Sequence, residues 1–219
     1  MIVTAHQINF LPGCSVMEKI RTADAVILLD TMQFPHGHGE KSGFTNRNRL
    51  ADGAWLTIPI DHQDIFAPIN RVRIADPGHH CRRKIAKKLQ RELGAVADPY
   101  VVELLKPYPL LVGLNYALIR LLLADLRIGV EQYFESHVDL GYSVPAWSED
   151  ESDLLPARER LAMMVEAVGG TVYLSGPSGS RYLNEEPFHA RGIEVRYFNW
   201  PEGTPNPSAI ETLRERRAA

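Results

Sequence analysis

Cysteine is scarce in this chain of 219 residues, which has only Cys14 and Cys81. Two cysteines make no disulfide framework, and a reducing compartment is the simpler inference. A clean apolar run long enough for a bilayer is also missing. The longest run, LLVGLNYALIRLLLADL, is broken by Asn115, Arg120 and Asp125 and reads as a buried helix. Neither sign of charge dominates: the formal net charge of −3 gives no electrostatic case for nucleic acid or anionic membrane as a partner. The opening MIVTAHQINF lacks a basic segment leading into an apolar core, so no secretion signal is expected. The expectation is a cytoplasmic globular protein, with no internal repeat.

What is present is ordinary soluble composition, enough for one domain over residues 1–219 with a mainly helical segment at about 80–127. MIVTAHQ reads as a strand, followed by a turn at Pro12 and Gly13 and a short amphipathic helix from about Ser15 to Thr22. AVILLD is a continuous apolar run ended by Asp30, as expected of a strand buried on both faces. Strand, helix and strand within about thirty residues predict a βαβ unit, and hence an α/β fold with a parallel sheet. Further strands are expected at AWLTIPI, with NRVRIAD pairing nearby, and at TVYLSG and IEVRYFNW. Helices are expected at CRRKIAKKLQRELG, DPYVVELLKPYP, Leu110–Leu126, ARERLAMMVEAVGG, SRYLNEEPFHARG and the tail SAIETLRERRAA. SHVDLGYSVPAWSEDESDLLP reads as an acidic surface loop.

In a parallel sheet, ligands bind beyond the carboxyl ends of the strands. His6, Gln7, Asn9, Asp30 and Gln33 fall there. His6 is a candidate general base or donor to a developing oxyanion, with Asp30 orienting it or a substrate amine. Asn46-Arg47-Asn48-Arg49, if extended, places its two arginines on one face and its two asparagines on the other. The arginines could grip a phosphate or carboxylate, and the asparagines could orient an amide or hydroxyl. YLSGPSGSRYL has the strand, glycine-rich turn and helix layout of an anion-binding loop, with donors at Ser175, Gly176, Ser178 and Gly179. It has neither a Walker lysine nor the spacing of a dinucleotide fingerprint. Cys14, close to a helix start, is a candidate nucleophile for acyl transfer through a thioester. The basic helix RRKIAKKLQREL reads as a solvated helix back, or as a face on which an acidic acyl- or peptidyl-carrier protein docks. His36 and His38 form a His-x-His pair without a third ligand at fixed spacing, so metal is the minority reading.

Together, VTAHQINFLP, ADAVILLDTMQF, FTNRNRL, WLTIPI, LNYALIRLLL and VYLSGPSGSRYL, in this order, resemble the WbqC-like family of bacterial proteins. That family occurs near O-antigen and other polysaccharide genes and in specialised-metabolite clusters. Its usual description suggests acyl or aminoacyl transfer. By that resemblance His6, Gln7, Asn9, Asp30, Gln33, the run from Asn46 to Arg49, Ser175, Gly176, Gly179 and Tyr182 coincide with motif positions. The chain departs from the family pattern at Ile8, near Gly13 and Ser15, in a longer histidine-rich stretch from Pro35 to Lys41, and at FNWPEGTPNPSAIETL. A weaker layout likeness, to pantothenate synthetase and other nucleotidylyl-transferase-like proteins, implies similar layering, although their paired His-x-x-His is missing here.

The resulting expectation is an amide-forming acyl or aminoacyl transferase with no cofactor, acting on a small-molecule amine or amino sugar. The donor is a carrier-protein thioester or another activated acyl group. His6 and Asp30 are the expected catalytic residues. Gln7, Asn9, Gln33, Asn46 to Arg49, Ser175, Gly176, Gly179 and Tyr182 are the expected substrate-binding ones. The alternatives are a non-catalytic binding protein for a sugar nucleotide or carrier protein, and a metal-dependent enzyme using His36 and His38.

Overall fold

A computed structural model describes residues 1–35, 44–140 and 157–213. They fall into two compact units, each assembled from separate stretches of chain. Unit 1 takes Met1–Gln7, Glu18–Met32 and Gly129–Thr204; unit 2 takes Ile8–Met17, Gln33–Ile128 and the chain from Pro205.

Unit 1 is a five-stranded parallel sheet. Its strands are β1 (Ile2–Gln7), β2 (Ala25–Leu29), β5 (Glu131–Phe134), β6 (Val172–Ser175) and β7 (Glu194–Tyr197), in the order β5-β2-β1-β6-β7. The expected βαβ core and parallel sheet are therefore present. The order runs outward from β1 on both sides, which makes the gap between β1 and β6 the topological switch point. AVILL forms β2 because it is buried on both faces, as its unbroken apolar run requires. Strand alternation sends Val3, Ala5, Ala25, Ile27 and Tyr173 to one face, where they pack with Ala162, Met164 and Val165 of α5 (Ala157–Ala167). Tyr173 stacks on Phe188 of α6 (Glu186–His189), ring centroids 4.9 Å apart. The same alternation turns Thr4 and His6 to the other face.

One expectation for this unit needs correction, and one strand was not expected. SRYLNEEPFHARG is not one helix: a 3-10 turn covers Pro177–Arg181, and α6 begins only at Glu186. Pro187 is tolerated only in the first turn of a helix, and the Asn184 side chain caps the Glu186 N–H at 3.0 Å, so the helix starts there. The edge strand β5, with the polar sequence EQYF, has no apolar run to announce it.

Unit 2 carries the mainly helical segment expected at about 80–127. It contains α2 (His80–Leu93), α3 (Asp98–Leu105) and α4 (Leu111–Asp125). Ile85, Leu89 and Leu93 of α2, Tyr100 and Leu104 of α3, and Leu111, Leu114, Leu118 and Leu122 of α4 are all buried. Asp76 accepts from the Cys81 and Arg82 backbone N–H groups at 2.8 and 2.9 Å and so caps α2. A small antiparallel hairpin pairs β3 (Arg47–Arg49) with β4 (Trp55–Thr57). NRVRIAD does not form the expected strand: it starts in a 3-10 turn, Ile69–Arg71, and makes only isolated bridges, Ile60 with Ile74 and Arg73 with Leu110. The described start of the expected terminal helix is a 3-10 turn, Ala209–Glu211. Of the acidic loop expected over residues 136–156, the described part, 136–140, opens in a 3-10 turn, Glu135–His137; the rest lies outside the described residues, as do His36 and His38. Among the described residues no helix is long and apolar enough to cross a membrane. A short helix, α1 (Cys14–Arg21), has its first residues in unit 2 and its last in unit 1.

Gly170, between α5 and β6, is closely packed. A Cβ there would meet Val165 Cγ1 at 2.6 Å, Val3 Cγ2 at 2.7 Å and the Val165 carbonyl at 2.8 Å. Gly170→Ala should therefore destabilise the protein by roughly 1–3 kcal/mol, read as a lowered urea midpoint. An unchanged midpoint would mean that this turn yields easily.

Candidate functional site

At the switch point the two ladders made by β1 differ in length. Pairing with β2 runs from Val3 to Gln7, whereas pairing with β6 stops at Thr4 opposite Leu174. The strands β1 and β6 therefore part above Thr4, and His6, Gln7, Ser175 and Gly176 lie along the parting. This is the sequence-predicted group that unit 1 does bring to one place.

His6 is half-buried. Burial of its ring and, secondarily, the Lys19 ammonium pull its pKa from 6.5 down to about 3, so the imidazole is neutral at any physiological pH. Lys19, on α1, is only 5% exposed, and burial lowers its pKa from 10.5 to about 8. Its ammonium donates to the Ala5 carbonyl oxygen at 2.8 Å. Sequence reasoning missed Lys19, because nothing in SVMEKIRTA distinguishes a lysine turned inward from one on the solvated face.

The glycine-rich turn after β6 is built around Ser175. This side chain is buried, and a Cβ on Gly179 would lie 2.0 Å from its Oγ, so only glycine fits over it. The hydroxyl thus supports the turn from beneath rather than facing outward from it. Tyr182, at the end of the turn, is 77% exposed. Tyr197 donates to Glu185 at 2.5 Å, which holds its pKa up at about 12, with burial adding to the effect.

Asp30 does not do what the sequence suggested. Both its carboxylate oxygens accept from Ser136, one from the backbone N–H at 3.0 Å and one from the hydroxyl at 2.7 Å. It fastens the end of β2 to the turn after β5. Beside it, buried Glu135 pairs with Arg160 at 2.8 Å and accepts from the Thr31 N–H at 3.0 Å.

The remaining candidates belong to unit 2. The hairpin is extended as expected, and the arginines share a face: the guanidinium carbons of Arg47 and Arg49 lie 4.4 and 5.8 Å from the centre of the Trp55 ring. Phe44 stacks on the same ring at 6.1 Å. Phe44, Asn48, Arg49, Trp55 and Asn206 line a cleft of about 250 Å³. The sequence reading did not single out Phe44, Trp55 or Asn206. An arginine pair ahead of a strand that opens on tryptophan was the available signal.

The asparagines serve the fold instead of a substrate. Asn46 Nδ2 donates to the Ile58 carbonyl at 2.9 Å. Buried Asn48 donates to the Leu11 carbonyl and accepts from the Arg49 N–H at 2.7 Å. Asn9 is buried and accepts from the Thr45 hydroxyl at 3.5 Å. Gln33 is exposed and forms an isolated bridge with Pro68. Cys14 is a half-buried cysteine outside any disulfide, and it opens α1. The first N–H groups of that helix are already taken, Cys14 by the Pro207 carbonyl at 3.0 Å and Ser15 by Asn206 Oδ1 at 2.8 Å. The helix pole that was expected to activate the thiol is therefore capped by the chain's own later segment. Among the described residues no group of three or more His, Cys, Asp or Glu side chains could hold a metal ion.

A family model, the WbqC-like protein family, matches residues 7–207. The chain belongs to that family. It is also similar to Rv1507c, an uncharacterised protein of Mycobacterium tuberculosis, at 26% identity over 202 residues, which is 90% of this chain and 82% of that protein. No solved structure matches significantly. The WbqC-like match takes in the β3–β4 hairpin, α1 and the glycine-rich turn, and begins one residue after His6.

In this WbqC-like protein, Lys19 and His6 titrate in separate pH windows. Lys19 is charged in both states below about pH 8, so its burial cost is complete there and is relieved only as pH rises towards 10.5. His6 is neutral in the fold down to about pH 3, whereas the unfolded chain protonates it near 6.5. Stability therefore falls as pH drops through this interval. Urea midpoints measured at neutral pH and at about pH 4 should fall less for His6→Gln than for the wild type. Parallel losses would show that the fold does not hold His6 neutral.

Proposed function

We propose that this WbqC-like protein transfers an acyl or aminoacyl group to the amine of an amino sugar or specialised metabolite, making an amide in the cytoplasm. The donor is a carrier-protein thioester or another activated acyl group. The observation that carries this reading is a neutral imidazole on the central strand, beside the parting of β1 and β6. In amide formation the amine nitrogen bonds to the carbonyl carbon, the carbon–sulfur bond breaks, and the proton given up by the amine leaves on the thiol. Between these events the carbonyl oxygen carries negative charge.

A neutral His6 serves that oxygen as an N–H donor. With its pKa at about 3 it is too weak a base to keep the amine's proton, so of the two roles weighed for it the donor role is favoured. Gln7 and exposed Tyr182 are the acceptor-binding side chains of this unit, with the Gly176 to Gly179 turn beside them. In unit 2, Arg47 and Arg49, backed by Trp55, take a phosphate or carboxylate. Asp30 stays outside the chemistry.

A second reading, a protein that binds a sugar nucleotide or carrier protein without chemistry, draws on the hairpin, where arginine, Trp55 and Phe44 form a ready recognition face. Mass spectrometry of amide product, from aminoacyl-carrier thioesters mixed with amino sugars, separates the two. The transferase reading expects turnover that falls about 100-fold or more in His6→Ala, the loss typical of one oxyanion donor. Equal turnover in the variant would remove His6 from the mechanism. Tight ligand binding lost in Arg47→Ala, with no product from any donor, would favour the binding protein.

A further inference from the structure

The ladder geometry fixes what Lys19 is doing in unit 1. The Met1 carbonyl accepts from Thr171 and Val172 on the β6 side, and the Ile2 carbonyl accepts from Asp24 on the β2 side. Carbonyls alternate along an extended strand, so those of Val3 and Ala5 also point towards β6. The Ala5 carbonyl comes one step after the β1–β6 pairing has ended at Thr4. It accepts from Lys19 Nζ at 2.8 Å. A buried ammonium thus stands where the ladder opens, at the topological switch point, on the side of Gly176.

This cation is short of partners. An ammonium has three N–H donors, and the Ala5 carbonyl is its acceptor among the described residues. The carboxylates at this end of the sheet are engaged elsewhere: Asp30 with Ser136, Glu135 with Arg160 and Thr31, and Glu185 with Tyr197 and His189. On its own helix, Glu18 pairs with Arg21 at 3.0 Å. A buried charge with no carboxylate partner among the described residues is costly, and binding an anion offsets that cost.

We propose that Lys19 is an anion-binding residue, holding a carboxylate or phosphate group of the ligand in the crevice between the carboxyl ends of β1 and β6. Neither the family match nor the transferase reading assigns it a role, and the inference does not depend on amide formation. Its dry surroundings strengthen attraction to the anion, and the neighbouring imidazole, being neutral, adds no competing cation.

The test is thermal unfolding of the full chain titrated with pyrophosphate and, separately, with malonate, against sodium chloride of equal ionic strength. Arg47→Ala/Arg49→Ala serves as the parent, so that the hairpin's own anion binding is removed. The parent should gain Tm with one or both anions, and Lys19→Met in that background should need at least about tenfold more anion for the same gain. Pyrophosphate alone acting identifies a phosphate ligand, and malonate alone a carboxylate. Equal gains with and without Lys19, or no gain beyond sodium chloride in the parent, would overturn the proposal. If Lys19→Met does not fold, Lys19→Gln keeps a donor for the Ala5 carbonyl without the charge and is read in the same way. None of these outcomes depends on His6, so the transferase reading stands or falls separately.

Discussion

β1 has two neighbours but shares itself unequally between them: five register pairs with β2 and three with β6. A central strand must satisfy both rows of its backbone groups, and where one ladder stops early the remaining groups need other partners. In unit 1 that need arises at Ala5 and is met by a lysine side chain instead of a strand. The contact of Lys19 with Ala5 and the opening towards Gly176 follow from that shortfall. A longer β6 would have paired with Ala5, closed the parting and left the lysine no reason to be buried.

The carboxylates show how the same sheet keeps its strand ends in place. Asp30 and Glu135 bind backbone N–H groups in the turns that follow β5 and β2, and each spends its charge on neighbours close at hand. These contacts tie the two strands together just above their pairing. Among the described residues, both acids are engaged with partners other than Lys19.

Much of the frame was legible in the chain. AVILL could only be a strand covered on both faces, and alternation in NRNR correctly put Arg47 and Arg49 on one side. Legibility failed where meaning rests on a distant partner. Asp30 looks catalytic until Ser136, over a hundred residues on, occupies it. The asparagines look free until the carbonyls of Leu11 and Ile58 arrive. β5 escaped because an edge strand with one neighbour needs no apolar run, and EQYF has none. Cys14 looked activated because the cap supplied by Asn206 and Pro207 lies near the other end of the chain.

Asn115 shows most clearly how one polar residue can be misjudged. In the sequence it only spoils an apolar run, counting against a membrane span. In unit 2 it is wholly buried in α4, and its Nδ2 donates to the carbonyls of Ile8 at 2.8 Å and Thr45 at 2.7 Å. The Phe10 N–H meets the carbonyls of Phe44 and Thr45 at 3.1 and 3.2 Å, so the segment after β1 and the approach to the hairpin are fastened to each other and to one helix. Arg47 and Arg49 follow directly from that anchored stretch, and two guanidiniums can share the Trp55 ring only if the strand carrying them is held in register. A leucine at position 115 would fill the same core but take this donor from both carbonyls: Thr45 would keep the Phe10 N–H, while the loss at Ile8 would cost about 1–3 kcal/mol. The interruption that makes α4 a poor membrane helix is therefore what lets it position an arginine pair.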